Sequence, residues 1–143
     1  MLPSSRPVAL LAGAVLLAAV MPAASAGLDL DRYRWKSRVL VIAAAADDPR
    51  AAAQDRIAEA AGAGMRERDL VVVRAIGEGR ETAALRRRLG LPATGFRAVL
   101  VGKDGGAKLT AEAPIPAERL FSTIDAMPMR QEEAARGRPR GRP

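Results

Sequence analysis

The distribution of apolar residues along the chain predicts strands that alternate with helices. Continuous apolar runs are typical of strands covered on both faces of a sheet, and they occur at residues 38–46, 70–75 and 97–101. Apolar residues at helical spacing predict three helices, which begin at Pro49, Glu81 and Pro116. Asp47 and Asp48 precede the first helix, where a carboxylate caps free backbone N–H groups and a proline loses no hydrogen bond.

A glycine-rich turn near the end of this pattern predicts a hairpin. Lys103-Asp104-Gly105-Gly106 would join the third strand to a return strand at Ala107–Thr110. A phosphate-binding loop is the alternative, but Asp104 stands where that motif needs Ser or Thr. The resulting order, β-α-β-α-β-β-α, predicts an α/β three-layer sandwich of the thioredoxin-like kind.

The first 26 residues have the features of a secretory signal peptide. Arg6 precedes the apolar run Val8–Met21, and Ala24-Ser25-Ala26 forms a small-residue cleavage site. The run is shorter than the about 20 apolar residues of a transmembrane helix. We therefore predict cleavage after Ala26, a periplasmic or secreted protein, and no transmembrane segment after cleavage. An uncleaved membrane anchor is the alternative.

Composition excludes most familiar catalytic chemistry. The 143 residues carry a net charge of +7 and include neither Cys nor His. Without Cys the protein has no disulfide, thiolate nucleophile or redox dithiol. Without His it has no Ser-His-Asp relay, and a metal site would need carboxylates alone. We expect no metal and no cofactor.

Four segments resemble an exported bacterial family catalogued as domain of unknown function 4174. They are residues 33–40, 66–70, 101–108 and 124–130, and the likeness covers about residues 28–132. The module is also similar to one in vertebrate matrix proteins of the coiled-coil-domain and sushi-repeat types, described there as peroxiredoxin-like. The resemblance implies a thioredoxin-like fold. It implies no thiol activity, because Ala43–Pro49 holds no Cys where such enzymes place their thiolate at a helix start.

Three polar residues are candidate ligands at the edge where this fold usually has its site. Asp47, Asp48 and Gln54 follow the first strand, close to its carboxyl end. They could bind a polar ligand or serve a non-thiol enzyme. The structural alternative, which we favour, is a helix cap with charges that complement the helix dipole.

Two aromatic residues form a second candidate surface. Residues 27–36 predict an edge strand or an ordered N-terminal arm. In a strand, Tyr33 and Trp35 share one face, which either covers the core, as we favour, or is an exposed binding hot spot. Arg86–Arg88 is expected to be a solvated helix face.

The C-terminal residues differ in composition from the rest. Residues 130–143 lack a large apolar anchor and predict a disordered basic tail, which leaves residues 27–129 as the domain. The tail repeats an Arg-Gly-Arg-Pro unit that suits a narrow minor groove, with candidate contacts at Arg136, Arg138, Arg140 and Arg142. Export argues against nucleic acid, so an anionic envelope surface is the alternative target.

These features favour an exported, thioredoxin-like binding or interaction module without redox cysteines. Its partner would be a protein or another envelope component. A non-thiol enzyme that uses Asp47, Asp48 or Lys103 is the alternative, as is anionic-surface or nucleic-acid binding through the tail.

The signal peptide gives a direct prediction. Protein isolated from the native cell envelope or medium should begin at Gly27, because the signal peptidase removes residues 1–26. Intact-mass measurement checks this result. A cytoplasmic, full-length product would contradict it and would favour the nucleic-acid hypothesis.

Overall fold

Four strands form one mixed sheet in the computed structural model, which describes residues 28–137. The strands are β1 (Arg38–Ala44), β2 (Leu70–Ile76), β3 (Arg97–Val101) and β4 (Ala107–Ala111). Their order across the sheet is β2-β1-β3-β4. β1 is parallel to β2 and antiparallel to β3, and β4 is antiparallel to β3.

The helices account for most of the other residues within 28–137. They are the 3₁₀ helix η1 (Leu30–Tyr33), then α1 (Pro49–Ala60), α2 (Gly62–Glu67), α3 (Arg80–Arg88), α4 (Ala117–Asp125) and α5 (Pro128–Gly137). The predicted α/β class and the hairpin are confirmed, and the arrangement is consistent with a thioredoxin-like sandwich. The helix predicted from Pro49 divides at Ala61, next to the two glycines of α2.

The sheet separates two apolar clusters, which gives three layers. One face packs against α1, α2 and α4, with Leu40, Phe96 and Leu120 among its buried residues. The other face packs against α3 and η1, with Leu30 and Leu85 buried there. β1 lies in the middle, and all seven of its residues are buried. This is the environment that its continuous apolar sequence predicts.

The structure decides between two alternatives at one chain end and corrects a prediction at the other. Of the edge strand and the ordered arm predicted for the N-terminal segment, residues 28–36 form the arm, because from Leu30 they turn into η1 beside the sheet. The prediction of a disordered tail from residue 130 is wrong for residues 130–137, which belong to α5. Ion pairs to the body hold this helix, as described below, so it needs no apolar anchor.

The predicted signal peptide at 1–26 lies outside the described residues, as do Arg138, Arg140 and Arg142. Within residues 28–137, no helix has the length and apolar character needed to cross a membrane.

Candidate binding site

The predicted edge beyond the carboxyl end of β1 is occupied by a helix cap. The Asp48 carboxylate accepts the backbone N–H of Arg50 at 2.9 Å and pairs with the guanidinium of Arg50 at 2.7 Å. These hydrogen bonds from Arg50 lower the pKa of Asp48. Asp47 is exposed beside it. Ligand binding at these two carboxylates stays a prediction.

Both polar atoms of the Gln54 side chain form hydrogen bonds inside the protein. The side chain is 0% exposed, and its Oε1 accepts from the backbone N of Ile115 at 2.6 Å. Its Nε2 donates to the backbone O of Ile115 at 3.0 Å. Gln54 therefore ties α1 to the segment before α4, and this pairing leaves its amide no evident role with a ligand.

Tyr33 and Trp35 do not share a strand face, because the chain turns between them. Tyr33 ends η1 and packs partly buried against the α3-side cluster. Trp35 is 64% exposed and has a left-handed backbone, with φ of 65°. Its backbone N–H donates to the carbonyl of Lys103 at 2.7 Å, which fixes the backbone of Trp35 beside the β3–β4 hairpin.

Two buried cations lie at the opposite edge of the sheet from Asp47. Arg38, the first residue of β1, is 1% exposed, and Lys103, just after β3, is 9% exposed. Antiparallel pairing of Val39 with Val101 brings these two positions to the same end. Burial of a charge is unfavourable unless the charge is paired. The partners of Arg38 and Lys103 therefore determine whether this end of the sheet is stable.

Two carboxylates neutralise these cations. The Lys103 ammonium donates to Asp69 Oδ2 at 2.9 Å and to Glu133 Oε1 at 2.6 Å. Arg38 donates to both oxygens of Glu133, at 3.2 and 3.4 Å, and its Nη1 also donates to the carbonyl of Arg68 at 2.9 Å. We call Arg38, Lys103, Glu133 and the half-exposed Asp69 the buried ion cluster, after its two buried cations.

The pairing overcomes the effect of burial on two pKa values. Burial raises the pKa of Glu133, but hydrogen bonds from Lys103 and Arg38 outweigh it and leave that pKa lowered. Burial lowers the pKa of Lys103, but hydrogen bonds to Asp69 and Glu133 outweigh it and leave that pKa raised. Both groups are thus held in their charged forms.

A second group of ion pairs extends the cluster along α5. Arg68 makes two 2.9 Å hydrogen bonds to Asp125, and its guanidinium stacks on the ring of Phe121. Arg130 pairs with Glu67 at 3.0 Å and with Asp125 at 3.4 Å. α5 has no buried residue, so these charges rather than apolar burial hold it to the body.

Backbone strain is concentrated around Lys103. Within residues 28–137, Trp35 and Asp69 are the non-glycine residues with positive φ, at 65° and 48°. Trp35 bonds the Lys103 carbonyl and Asp69 binds its ammonium. Such conformations cost of order 1–3 kcal/mol each and cluster at functional sites. This strain marks the surroundings of Lys103 as a candidate site.

A mainly apolar cavity of about 300 Å³ borders the buried ion cluster. Arg38 and Lys103 line it, and the α4–α5 joint supplies apolar walls through Ala126, Met127 and Met129. Asp104 and Lys108 stand at the hairpin side and pair with each other at 2.8 Å. The cavity has the size of a small ligand site.

Sequence reasoning did not bring the four residues of this cluster together. It placed Arg38 at the edge of an apolar strand and Glu133 in a tail, and it named Lys103 only as a hairpin residue and a candidate for a non-thiol enzyme. One signal was present: the four segments that carry the family resemblance hold Arg38, Asp69 and Lys103, and they meet here.

The prediction that Arg86 belongs to a solvated helix face is wrong. Arg86 is 3% exposed and donates to the carbonyls of Pro92 and Gly95.

The other predicted surface residues are less informative. Arg136 is exposed and pairs with Glu132 one helical turn away. Within residues 28–137, no group of three or more acidic side chains is placed to hold a metal ion.

Fold and cluster together define a cysteine-free α/β domain with a buried ion cluster at one end of its sheet. The chain belongs to the family described as Domain of unknown function (DUF4174), whose model matches residues 29–133. The match includes the whole buried ion cluster. No curated protein and no solved structure shows significant similarity to the chain.

Replacement of Gln54 by Leu tests the structural role of this side chain. The change leaves the buried N–H and C=O of Ile115 without partners, and each such group costs about 1–3 kcal/mol. We expect the free energy of unfolding to fall by about 2–4 kcal/mol, as measured by urea denaturation. Gln131→Leu, at an exposed position on α5, is the matched control and should change stability by less than about 0.5 kcal/mol. Equal effects of the two changes would contradict the role of Gln54.

Acid should weaken the attachment of α5. The pKa of Glu133 is lowered in the folded state, so the unfolded chain binds more protons in acid. The stabilisation that ionised Glu133 gives the folded state is therefore fully present above its ordinary pKa. It is lost as pH falls through the lower pKa that Glu133 has in the folded protein. Glu133→Gln should reduce stability by about 1–3 kcal/mol at pH 7 and by much less at pH 3.

Urea denaturation of the wild type and Glu133→Gln at both pH values measures this difference. Glu132→Gln, on the exposed side of the same helix, is the control. A loss in Glu133→Gln that is the same at pH 3 and pH 7 would show that the carboxylate charge is irrelevant.

Proposed function

We propose that the protein is an exported interaction module that binds a partner protein at the Lys103 end of the sheet, without thiol chemistry. The observation that carries this proposal is Trp35. It is the sole tryptophan of the chain, and it is mostly exposed in a strained conformation. Trp is the residue type most enriched at the energetic centres of protein interfaces.

A second exposed apolar residue stands at the same end. Trp35 and Met129 are the exposed large apolar side chains within residues 28–137. Trp35 bonds the Lys103 carbonyl, and Met129 lines the cavity that Lys103 also lines. Aromatic residues and Met are enriched at interfaces, whereas exposed apolar residues scattered singly need no explanation. The shared location of these two supports a binding surface.

Export is supported by the sequence of residues 1–26 and by the family resemblance. The chain has no Cys, so the exported protein would not act as a disulfide oxidoreductase. The alternatives lack such support from the described residues. At the opposite edge, Asp48 is a paired helix cap and Gln54 is a structural residue. Arg136, the one described tail candidate, pairs with Glu132.

Photo-crosslinking in the native host tests the proposed surface. A photoreactive phenylalanine analogue replaces Trp35 in one strain and Glu78, which is exposed in the loop after β2, in a control strain. We expect discrete adducts of defined mass from position 35 and none from position 78, because only the former lies at the partner surface. Adducts from both positions alike, or from position 78 alone, would contradict the proposal.

A further inference from the structure

We propose that the cavity beside the buried ion cluster binds the C-terminal carboxylate of a partner polypeptide, which replaces Glu133 between Arg38 and Lys103. This inference rests on the proposed function and names the part of the partner that is recognised.

The two cations already hold a carboxylate in the structure. Glu133 Oε1 accepts from Lys103 at 2.6 Å and from Arg38 at 3.4 Å, and Oε2 accepts from Arg38 at 3.2 Å. Contact of an arginine fork with both oxygens gives geometric specificity for planar carboxylates. The site is therefore built for a carboxylate, and the occupant shown is an internal one.

Charge balance indicates exchange rather than addition. Arg38 and Lys103 carry two positive charges, and Asp69 and Glu133 carry two negative charges. Arg130 lies 3.9 Å from Glu133, but Glu67 and Asp125 already balance its charge. An anion added beside the two buried cations would leave an uncompensated negative charge, which is unfavourable in a low-dielectric environment. A ligand carboxylate that takes the place of Glu133 keeps the balance.

Glu133 is well suited to leave. It lies on α5, which buries no residue and is held by ion pairs. Glu133 also satisfies its site incompletely, because the Nε of Arg38 is buried without a hydrogen-bond partner among the described residues. Buried unpaired donors are rare, and within residues 28–137 the Nε of Arg86 is the other one. A mobile ligand carboxylate has more freedom than a helix-borne one to adopt a geometry that reaches this N–H.

The surroundings favour the end of a peptide over a free anion. A C-terminal residue carries a carboxylate and a side chain on one carbon, and the cavity places apolar walls directly beside the two cations. Its volume of about 300 Å³ accommodates one such side chain and its backbone. Trp35, fixed to the Lys103 carbonyl, provides apolar surface for the preceding residues.

The test uses N-acetyl-leucine as a minimal C-terminus and N-acetyl-leucinamide as its neutral counterpart. Backbone amide shifts of the mature protein are followed by NMR during titration with each compound. We expect saturable shifts for the acid at Gly102, Lys103 and Met127, and none for the amide, because only the acid carries the recognised charge. Equal binding of both compounds, or binding of neither, would overturn the inference.

Two glutamine variants on α5 test the exchange with Glu133. Glu133→Gln removes the internal competitor and should tighten binding of the acid by about tenfold or more, the effect of losing one charge-assisted contact. Glu132→Gln, the matched control one residue away, should leave the affinity unchanged. If the two variants bind the acid like the wild type, the carboxylate does not replace Glu133.

Failure here is separable from failure of the proposed function. If the acid does not bind but crosslinking stays specific to position 35, the partner surface stands and its carboxylate specificity is wrong. If crosslinking also fails, the interaction surface itself is wrong.

Discussion

The pairing of Glu133 with Arg38 and Lys103 is the interaction on which one whole end of this protein depends. Two cations are withdrawn from water where β1 begins and β3 ends. Because an unpaired buried charge is severely unfavourable, a carboxylate has to reach them from elsewhere in the chain. α5 supplies it with Glu133, and this contact and the ion pairs of Arg130 attach the helix, which buries no residue.

This arrangement separates the molecule into two ends with different chemistry. At the carboxyl end of β1, a helix cap and the buried Gln54, bonded to the backbone of Ile115, serve the fold. At the other end, charge, cavity, backbone strain and exposed Trp35 occur together around Lys103. The features that suit a binding role are therefore concentrated at one end of the sheet.

The sequence was sufficient for the central strands and helices but not for the chain ends or the candidate site. The apolar run of β1, the Pro49 helix start and the Gly105-Gly106 turn each depend on local rules, and the structure confirms them. Arg38 and Glu133 are 95 residues apart, so their contact depends on how β1, β3 and α5 come together. The tail prediction failed for a related reason, because it considered apolar anchors and overlooked ion pairs. The strand alternative for residues 27–36 stayed open because the left-handed turn at Trp35 has no glycine to signal it.

The most direct test of this account is the coupling energy between Lys103 and Glu133. A double-mutant cycle with Lys103→Met, Glu133→Gln and the combined variant isolates that interaction from the other effects of each change. If the buried ion cluster holds α5 in place, urea denaturation at pH 7 should give a favourable coupling of at least about 1.5 kcal/mol. If the two changes are additive to within about 0.3 kcal/mol, the contact contributes nothing and the central claim is wrong.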